Sequence, residues 1–215
     1  MAILDENVLK DTEKALQNMV KEVRLVLFTQ EMECSYCKET HQLLEELLST
    51  NKLLKLEVHK FEKDSKAVKQ YGIDKIPAIA IMGEKDHGIR FYGIPAGYEF
   101  SSLLAAILLV STGKHKLTKE GMKFMDSLTK PIHMQVFVMP TCPYCPKAVM
   151  LAHQMAYYSD KITADMVEIS GFPHLTQKYS VQGVPRTVIN EKWYLEGAAP
   201  EAMVMKKIEE AIKHA

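Results

Sequence analysis

The placement of the four cysteines constrains this chain more than any other feature. They form two C-x-x-C pairs, Cys34 with Cys37 and Cys142 with Cys145, and no cysteine is left for another use. Two intervening residues on the first turn of a helix let the sulfurs approach bonding distance. The first sulfur then lies at the helix N-terminus, where free N–H groups and the helix dipole favour a thiolate. The pattern predicts two dithiol/disulfide sites, with Cys34 and Cys142 attacking and Cys37 and Cys145 resolving. Purely structural disulfides are the alternative.

The second half of the chain repeats the first. Four landmarks of the first half recur 108 residues later. They are Cys34, Cys37, Tyr71 and Pro77, which return as Cys142, Cys145, Tyr179 and Pro185. One shared offset across all four indicates a tandem duplication. A chain of 215 residues has room for two domains of about 100 residues each. We predict an N-terminal unit over 1–113 and a C-terminal unit over 114–215.

Hydrophobic periodicity predicts the same order of elements in both halves. Each has a strand, the C-x-x-C helix, a second strand, a short helix, a hairpin that opens at Ile-Pro or Val-Pro, and a closing helix. A helix over 6–21 is predicted before the first strand. The segment 101–111 predicts a helix that is apolar almost all round, and such a helix belongs inside a core. We expect it at the contact between the two units, with a linker over 112–116.

Composition argues against several classes of partner. Lys+Arg and Asp+Glu balance at 27 each, so no net field recruits nucleic acid or an acidic membrane. The longest apolar run, 103–110, is far shorter than the roughly 20 residues that span a bilayer. Residues 1–21 lack the continuous apolar core of a signal peptide. We therefore expect a soluble cytoplasmic protein, in which disulfides are usually transient and catalytic.

The motifs resemble those of a known family. Each half is similar to a thioredoxin/glutaredoxin unit, and Cys-Pro-Tyr-Cys at 142–145 is typical of glutaredoxin active sites. Two such units in one chain resemble the glutaredoxin-like protein disulfide oxidoreductases of thermophilic archaea and bacteria, to which the loop 93–97 is also similar. The resemblance implies an α/β fold of two tandem units, each a mixed central β-sheet flanked by helices.

The same resemblance implies an activity. It points to a cytosolic, protein disulfide isomerase-like enzyme that reduces, forms and isomerises protein disulfides and serves electron transport and cell redox homeostasis. It implies no bound cofactor and no metal. Electrons are expected from NADPH through a thioredoxin reductase-like flavoprotein partner, and the substrates are protein disulfides and dithiols. A module that shuttles electrons for a flavin-dependent thioredoxin or peroxide reductase is the alternative function.

The resemblance extends to two prolines. The resemblance implies that Pro77 and Pro185 follow cis peptide bonds and face the active-site sulfurs. Ile76 and Val184 then present main-chain groups to an extended substrate segment, as in strand addition. Ordinary trans prolines at strand starts are the alternative.

The chain departs from thioredoxins in its proton acceptor. Thioredoxins place a buried Asp six residues before the first cysteine, but Phe28 and Val136 occupy these positions here. Glu57 and Glu168 on neighbouring strands are candidate substitutes, although a solvent-facing position is expected for either.

The two sites are not predicted to be equal. Glu31 and Glu33 flank the first site, and their charge disfavours the Cys34 thiolate. The segment before Cys142 carries no such charge, and Pro143 restricts the loop between the second pair. We predict that the C-terminal site dominates disulfide reduction.

Two other interpretations of the cysteine motifs are a zinc site and a redox-silent binding protein. Zinc ribbons space their C-x-x-C knuckles by about 15–20 residues, whereas these pairs are 108 apart. A redox-silent binding protein requires the cysteines to be incidental, which their confinement to the motifs argues against. The eight histidines show no ligand spacing, and His41 and His153 are expected at the surface or half-buried.

Overall fold

Strands from both halves of the chain join into one sheet in the computed structural model, which describes residues 2–214. The strands are β1 (Val23–Thr29), β2 (Leu54–Lys60), β3 (Ala78–Met82), β4 (Asp86–Tyr92), β5 (Ile132–Val138), β6 (Ile162–Glu168), β7 (Arg186–Ile189) and β8 (Trp193–Glu196). Their order across the sheet is β2-β1-β3-β4-β6-β5-β7-β8. The first four belong to the N-terminal half (residues 2–113) and the last four to the C-terminal half (residues 114–214).

Each half repeats one strand arrangement, as the duplication predicts. In the N-terminal half β1 runs parallel to β2 and antiparallel to β3. In the C-terminal half β5 runs parallel to β6 and antiparallel to β7. The halves join where β4 pairs in parallel with β6, from Ile89 opposite Ala164 to Tyr92 opposite Val167. This pairing satisfies main-chain groups that two separate sheets would leave unpaired at their edges.

Helices cover both faces of the sheet in the described chain. They are α1 (Glu6–Leu16), α2 (Cys37–Leu48), α3 (Ser65–Tyr71), α4 (Glu99–Thr112), α5 (Lys119–Asp126), α6 (Cys145–Tyr158), α7 (Pro173–Lys178) and α8 (Glu201–Lys213). The helix predicted over 6–21 ends at Leu16, and Val20 beyond it is 67% exposed. None of the helices within residues 2–214 is long and apolar enough to cross a bilayer.

Two apolar clusters fill the space between helices and sheet. The larger joins both halves and includes Leu44 of α2, Ile107 of α4 and Val149 of α6. The smaller lies on the opposite face, around Tyr71 and Tyr179 at the ends of α3 and α7. The prediction for segment 101–111 is confirmed, because α4 contains it and packs against α6 of the other half.

Candidate active site

Both C-x-x-C pairs lie at the same edge of the sheet. β1 and β5 point the same way, because the pairings through β3, β4 and β6 reverse direction twice. Each of these two strands ends just before a C-x-x-C loop. Three strands separate them, so at about 4.8 Å per strand the two loops start about 19 Å apart. Ligands of one zinc ion lie about 2.0–2.3 Å from it, so the two pairs do not form a shared zinc site.

Within each pair, the second cysteine is the more deeply buried. Both pairs form disulfides, with Cα atoms 5.6 Å apart in the first and 5.5 Å apart in the second. Cys37 begins α2 and is 2% exposed, and Cys145 begins α6 and is fully buried. Cys34 is half-buried and Cys142 is 8% exposed. This difference fits an accessible attacking sulfur and a protected resolving one.

An X-Pro loop faces the second pair. The Ile76–Pro77 and Val184–Pro185 bonds are both cis, as the resemblance implied. The Sγ atom of Cys142 lies 3.7 Å from the carbonyl oxygen of Val184. The main chain just before Pro185 therefore lies next to the outer sulfur of the second pair.

The strand order, the duplicated C-x-x-C helices and the opposed cis-proline loop agree with one family. The thioredoxin domain matches this chain twice, over residues 12–105 and 132–210. The chain belongs to the thioredoxin-domain family. The two matched segments are the two repeats that the shared offset predicted.

Solved structures similar to this thioredoxin-domain protein contain both repeats. A protein disulfide oxidoreductase from Aeropyrum pernix superposes with a TM-score of 0.91 at 29% identity, over 99% of this chain and 96% of that one. An N-terminal domain of the alkyl hydroperoxide reductase AhpF from Enterococcus faecalis gives 0.87 at 25% identity, over 94% and 98%. The tandem arrangement therefore occurs both as an oxidoreductase and as a domain of a larger protein.

Curated relatives are longer than this chain. A Bacillus subtilis NADH dehydrogenase is 24% identical over 208 residues, which are 96% of this chain and 38% of the relative. An alkyl hydroperoxide reductase component of Staphylococcus aureus is 28% identical over 174 residues, or 80% and 31%. The thioredoxin-domain protein thus spans about a third of the length of these relatives.

Both candidate carboxylates from the sequence have other partners in the structure. Glu57 is partly exposed and lies 3.2 Å from Arg24 and 2.7 Å from His59. The expectation that Glu168 faces solvent is wrong, because this residue is only 1% exposed. Its oxygens accept hydrogen bonds from the amides of Ser170 and Gly171 at 2.9 and 3.0 Å. These two hydrogen bonds fix the Glu168 carboxylate against the loop that follows β6.

A different buried carboxylate lies in the first turn of α4, the helix that begins next to the loop leading to Cys142. This residue, Glu99, is 1% exposed and forms no ion pair within the described residues. Burial raises the pKa of Glu99 to about 7, although the nearby hydroxyl of Ser102 opposes the shift. Sequence analysis missed this residue. The only sequence signal was a charged residue at the start of an otherwise apolar helix.

The packing of α4 on α6 brings Glu99 to the Cys145 end of their interface. The amide of Tyr98 donates to the carbonyl of Pro140 at 2.9 Å, so α4 starts beside the loop that leads to Cys142. At the other end, Gly113 after α4 adjoins Tyr157 in the last turn of α6. The two helices therefore run in the same direction, and their buried first turns carry Glu99 and Cys145.

The N-terminal site differs in charge and in its neighbours. Glu31 lies 3.0 Å from Lys60, and Lys60 and Lys63 lower the pKa of its carboxyl group. The negative charge of Glu31 is thus partly compensated, so it disfavours the Cys34 thiolate less than the sequence predicted. The ring of Tyr36 approaches Gly171 of the C-terminal half. Tyr144, its counterpart in the second site, is 71% exposed.

Gly97 sets how closely the two halves approach at the second site. Its φ of +59° favours glycine, and a Cβ there would clash with the Pro140 carbonyl oxygen. We expect Gly97→Ala to lower the free energy of unfolding by more than the roughly 1–3 kcal/mol that a left-handed alanine costs. Thermal unfolding followed by circular dichroism measures this loss.

The matched control is Gly197→Ala. This glycine has a φ of +74° but no atom within 4 Å of the added Cβ, so the variant carries the backbone strain alone. Equal destabilisation of the two variants would show that the Pro140 contact does not limit the approach of the halves.

Proposed function

We propose that this chain is a protein thiol–disulfide oxidoreductase that reduces, forms and isomerises disulfides through its two C-x-x-C sites. One observation carries the proposal. All four cysteines form two disulfides at helix N-termini, each with a shielded inner sulfur and a more accessible outer one. The match to the thioredoxin domain and the similarity to the Aeropyrum pernix oxidoreductase support it.

The helix N-termini favour thiolates at the outer cysteines. No side chain within residues 2–214 caps α2 or α6, whose N-cap residues are Tyr36 and Tyr144. The first N–H groups of each helix are therefore free to interact with a negatively charged sulfur. Because the thiolate is the attacking species, this environment supports Cys34 and Cys142 as the nucleophiles.

In the reducing direction the exchange has two steps. The Cys142 thiolate attacks a substrate disulfide, which forms a mixed disulfide and releases the first substrate thiolate. The Cys145 thiolate then attacks Cys142 Sγ, which closes the Cys142–Cys145 disulfide and releases the second substrate thiolate. Two electrons pass to the substrate, and oxidation of a substrate dithiol is the reverse sequence.

The X-Pro loops position the substrate. The carbonyl oxygen of Val184 lies beside Cys142 Sγ, and Ile76 precedes the matching proline of the first site. We assign Ile76-Pro77 and Val184-Pro185 as substrate-binding segments, where an extended chain forms main-chain hydrogen bonds as an added strand. The attacked disulfide is then held in line with the outer sulfur.

Glu99 supplies the missing proton acceptor for the second site. The resolving step needs the Cys145 thiol to lose its proton in a buried position. A buried carboxylate that has no ion-pair partner and whose pKa is raised to about 7 exchanges protons readily near neutral pH. Among the other buried carboxylates of residues 2–214, Asp165 pairs with His133 and Glu168 accepts backbone amides. This arrangement favours the C-terminal site for reduction.

A reductase is needed to regenerate the dithiols. We assign this role to a thioredoxin reductase-like flavoprotein that draws electrons from NADPH. The partial matches to proteins named NADH dehydrogenase and alkyl hydroperoxide reductase support a link to a nicotinamide-dependent reductase. They also favour the second candidate, an electron-shuttle module. That function predicts peroxide-dependent NADH or NADPH oxidation when the chain is mixed with such a reductase and a peroxidase.

Redox titration tests the main proposal. The wild type and two variants, Cys34→Ser/Cys37→Ser and Cys142→Ser/Cys145→Ser, are equilibrated with glutathione buffers, and their thiols are counted by mass after alkylation. We expect two sites that titrate separately, in the range of about −200 to −270 mV spanned by glutaredoxins and thioredoxin. Two pairs that stay oxidised throughout this range would mark the disulfides as structural and refute the proposal.

A further inference from the structure

A buried hydroxyl lies one helical turn after the inner cysteine of the first site. Thr40 of α2 is fully buried, and within residues 2–214 its Oγ1 atom has no hydrogen-bond partner. A threonine hydroxyl in a helix often donates to the carbonyl four residues earlier. Here that carbonyl, of Tyr36, accepts the Thr40 amide at 2.9 Å but not the hydroxyl. The disulfide exchange proposed above makes no use of Thr40.

Helix geometry brings this hydroxyl to Cys37. Cys37 is the first residue of α2 and Thr40 follows three positions later, so their Cβ atoms lie about 5–6 Å apart on one face. Side chains of a helix point back towards its N-terminus, so Thr40 covers the turn that contains Cys37. In the disulfide, the Cys37 sulfur is held by Cys34. In the dithiol it is free to rotate about its Cα–Cβ bond towards the hydroxyl.

Reduction supplies the acceptor that the hydroxyl lacks. A buried hydroxyl without a partner is unfavourable, and Thr40 is in this condition while the disulfide is closed. A thiolate accepts a hydrogen bond, and hydrogen bonds to charged acceptors are stronger than those between neutral groups. Donation to the Cys37 sulfur would therefore favour its thiolate over its thiol, against the opposing effect of burial.

The second site has no hydroxyl at this position. α6 begins at Cys145 as α2 begins at Cys37, so the residue that matches Thr40 is Ala148, which is 7% exposed. An alanine side chain has no hydrogen-bond donor. The second site has Glu99 at the Cys145 end of the α4–α6 interface instead. The two sites therefore differ in the polar group that lies closest to the resolving cysteine along or across the helix.

We propose that, once the first disulfide is open, the Thr40 hydroxyl donates a hydrogen bond to the Cys37 sulfur and stabilises its thiolate. This role rests on the proposed disulfide exchange, in which the Cys37 thiolate attacks Cys34 Sγ of the mixed disulfide. The Cys34–Cys37 bond forms as the bond between Cys34 and the substrate sulfur breaks. The substrate sulfur takes the electron pair and leaves as a thiolate, which takes up a proton. Thr40 stays protonated throughout and sets how readily Cys37 ionises.

The acidity of Cys37 tests the proposal. In the full chain, Cys34→Ala/Cys142→Ser/Cys145→Ser leaves Cys37 as the only cysteine, and the ultraviolet absorbance of its thiolate is followed against pH. Adding Thr40→Val, which replaces the hydroxyl by a methyl group, is expected to lower the acid dissociation constant of Cys37 at least about tenfold. Thr40→Ser keeps the hydroxyl and is expected to stay close to the parent. An unchanged dissociation constant in Thr40→Val would overturn the proposal.

Thr12→Val is the matched control. Thr12 of α1 is 1% exposed, its hydroxyl also lacks a hydrogen-bond partner in the described chain, and α1 contains no cysteine. In the same single-cysteine background this variant is expected to leave the acidity of Cys37 unchanged. Equal effects of Thr12→Val and Thr40→Val would show that a lost buried hydroxyl acts through general packing, and would refute the assignment.

The melting temperature of the disulfide form gives a second measurement. Because the Thr40 hydroxyl has no acceptor in that form, Thr40→Val in the otherwise unchanged oxidised chain is expected to melt at the same temperature as the wild type or higher. A lower melting temperature would show that the hydroxyl already has a partner while the disulfide is closed, which contradicts the proposal.

The acidity of Cys37 is measured without substrate or turnover, so it separates this inference from the proposed function. An unchanged acidity in Thr40→Val refutes the hydrogen bond and leaves the oxidoreductase function standing. Two pairs that stay oxidised in the redox titration refute the function and leave the hydrogen bond standing. The charged residues around the first site are the same in every variant, and they are Glu31, Glu33, Lys38, Glu39, Lys60 and Lys63. Differences between the variants therefore report on the hydroxyl.

Discussion

Cys142→Ser is expected to lose at least about 90% of the insulin-reducing activity, whereas Cys34→Ser retains most of it. The reason is proton handling, since Glu99 lies at the end of the α4–α6 interface where Cys145 begins, whereas buried Glu168 accepts two backbone amides. Without a thiolate at position 142 the mixed disulfide does not form there. Turbidity of the precipitating insulin B chain, with dithiothreitol as electron donor, measures the rate.

Accessibility favours the opposite result. Cys34 is half-buried, whereas Cys142 is only 8% exposed, so a large substrate reaches the first sulfur more easily. The two single variants are therefore controls for each other, because each removes one nucleophile and leaves the other site intact. Loss of activity in Cys34→Ser with retention in Cys142→Ser would show that access, and not proton transfer, sets the rate.

Glu99→Gln is expected to slow the resolving step at the second site and to change its pH dependence. A positioned general base typically contributes about 10²–10⁴-fold, and we expect the low end of this range because a thiol ionises unaided near pH 8.5. In the wild type the rate should rise with pH through about 7, the pKa of Glu99. In the variant the rise should move towards the thiol's own pKa.

Rapid-quench measurement of mixed-disulfide decay in the Cys34→Ser/Cys37→Ser background isolates this step. Glu57→Gln is the matched control, since it removes a partly exposed carboxylate paired with Arg24 and His59. A pH profile that Glu99→Gln leaves unchanged would exclude Glu99 as the proton acceptor.

The pH dependence of the stability of Glu99→Gln gives an independent test of the raised Glu99 pKa. The folded pKa of Glu99, about 7, lies above its ordinary value of 4.5, so the folded state binds the proton more tightly than the unfolded state does. This contribution to stability is complete below pH 4.5 and is lost as the pH rises through 7, by about 3 kcal/mol in all. Glu99→Gln removes that loss. Urea unfolding should therefore show the variant gaining stability relative to the wild type between pH 5 and pH 8.

The sequence alone was sufficient to predict the local motifs of this protein and its internal repeat. The two C-x-x-C helices were predicted at the cysteines, and α2 and α6 begin at Cys37 and Cys145. The four cysteines, the shared offset and the two prolines gave the duplicated redox sites. These signals lie within a few residues of each other or repeat at a fixed spacing, so no knowledge of distant contacts was needed.

The tertiary structure alone decided what depends on contacts between distant segments. The pairing of β4 with β6 merged two predicted sheets into one, and edge pairing leaves no pattern in either strand. The burial of Glu99, His153 and Glu168 depends on packing in the folded protein. The sequence predicted a solvent-facing Glu168 and a surface or half-buried His153, and it gave no prediction for Glu99. The chemistry that a polar side chain can perform depends on its hydrogen-bond and ion-pair partners in the folded protein, and distant segments supply those partners. The sequence therefore determined where the two cysteine pairs lie, and the packing of α4 against α6 decided which buried carboxylate lies at the Cys145 end of that interface.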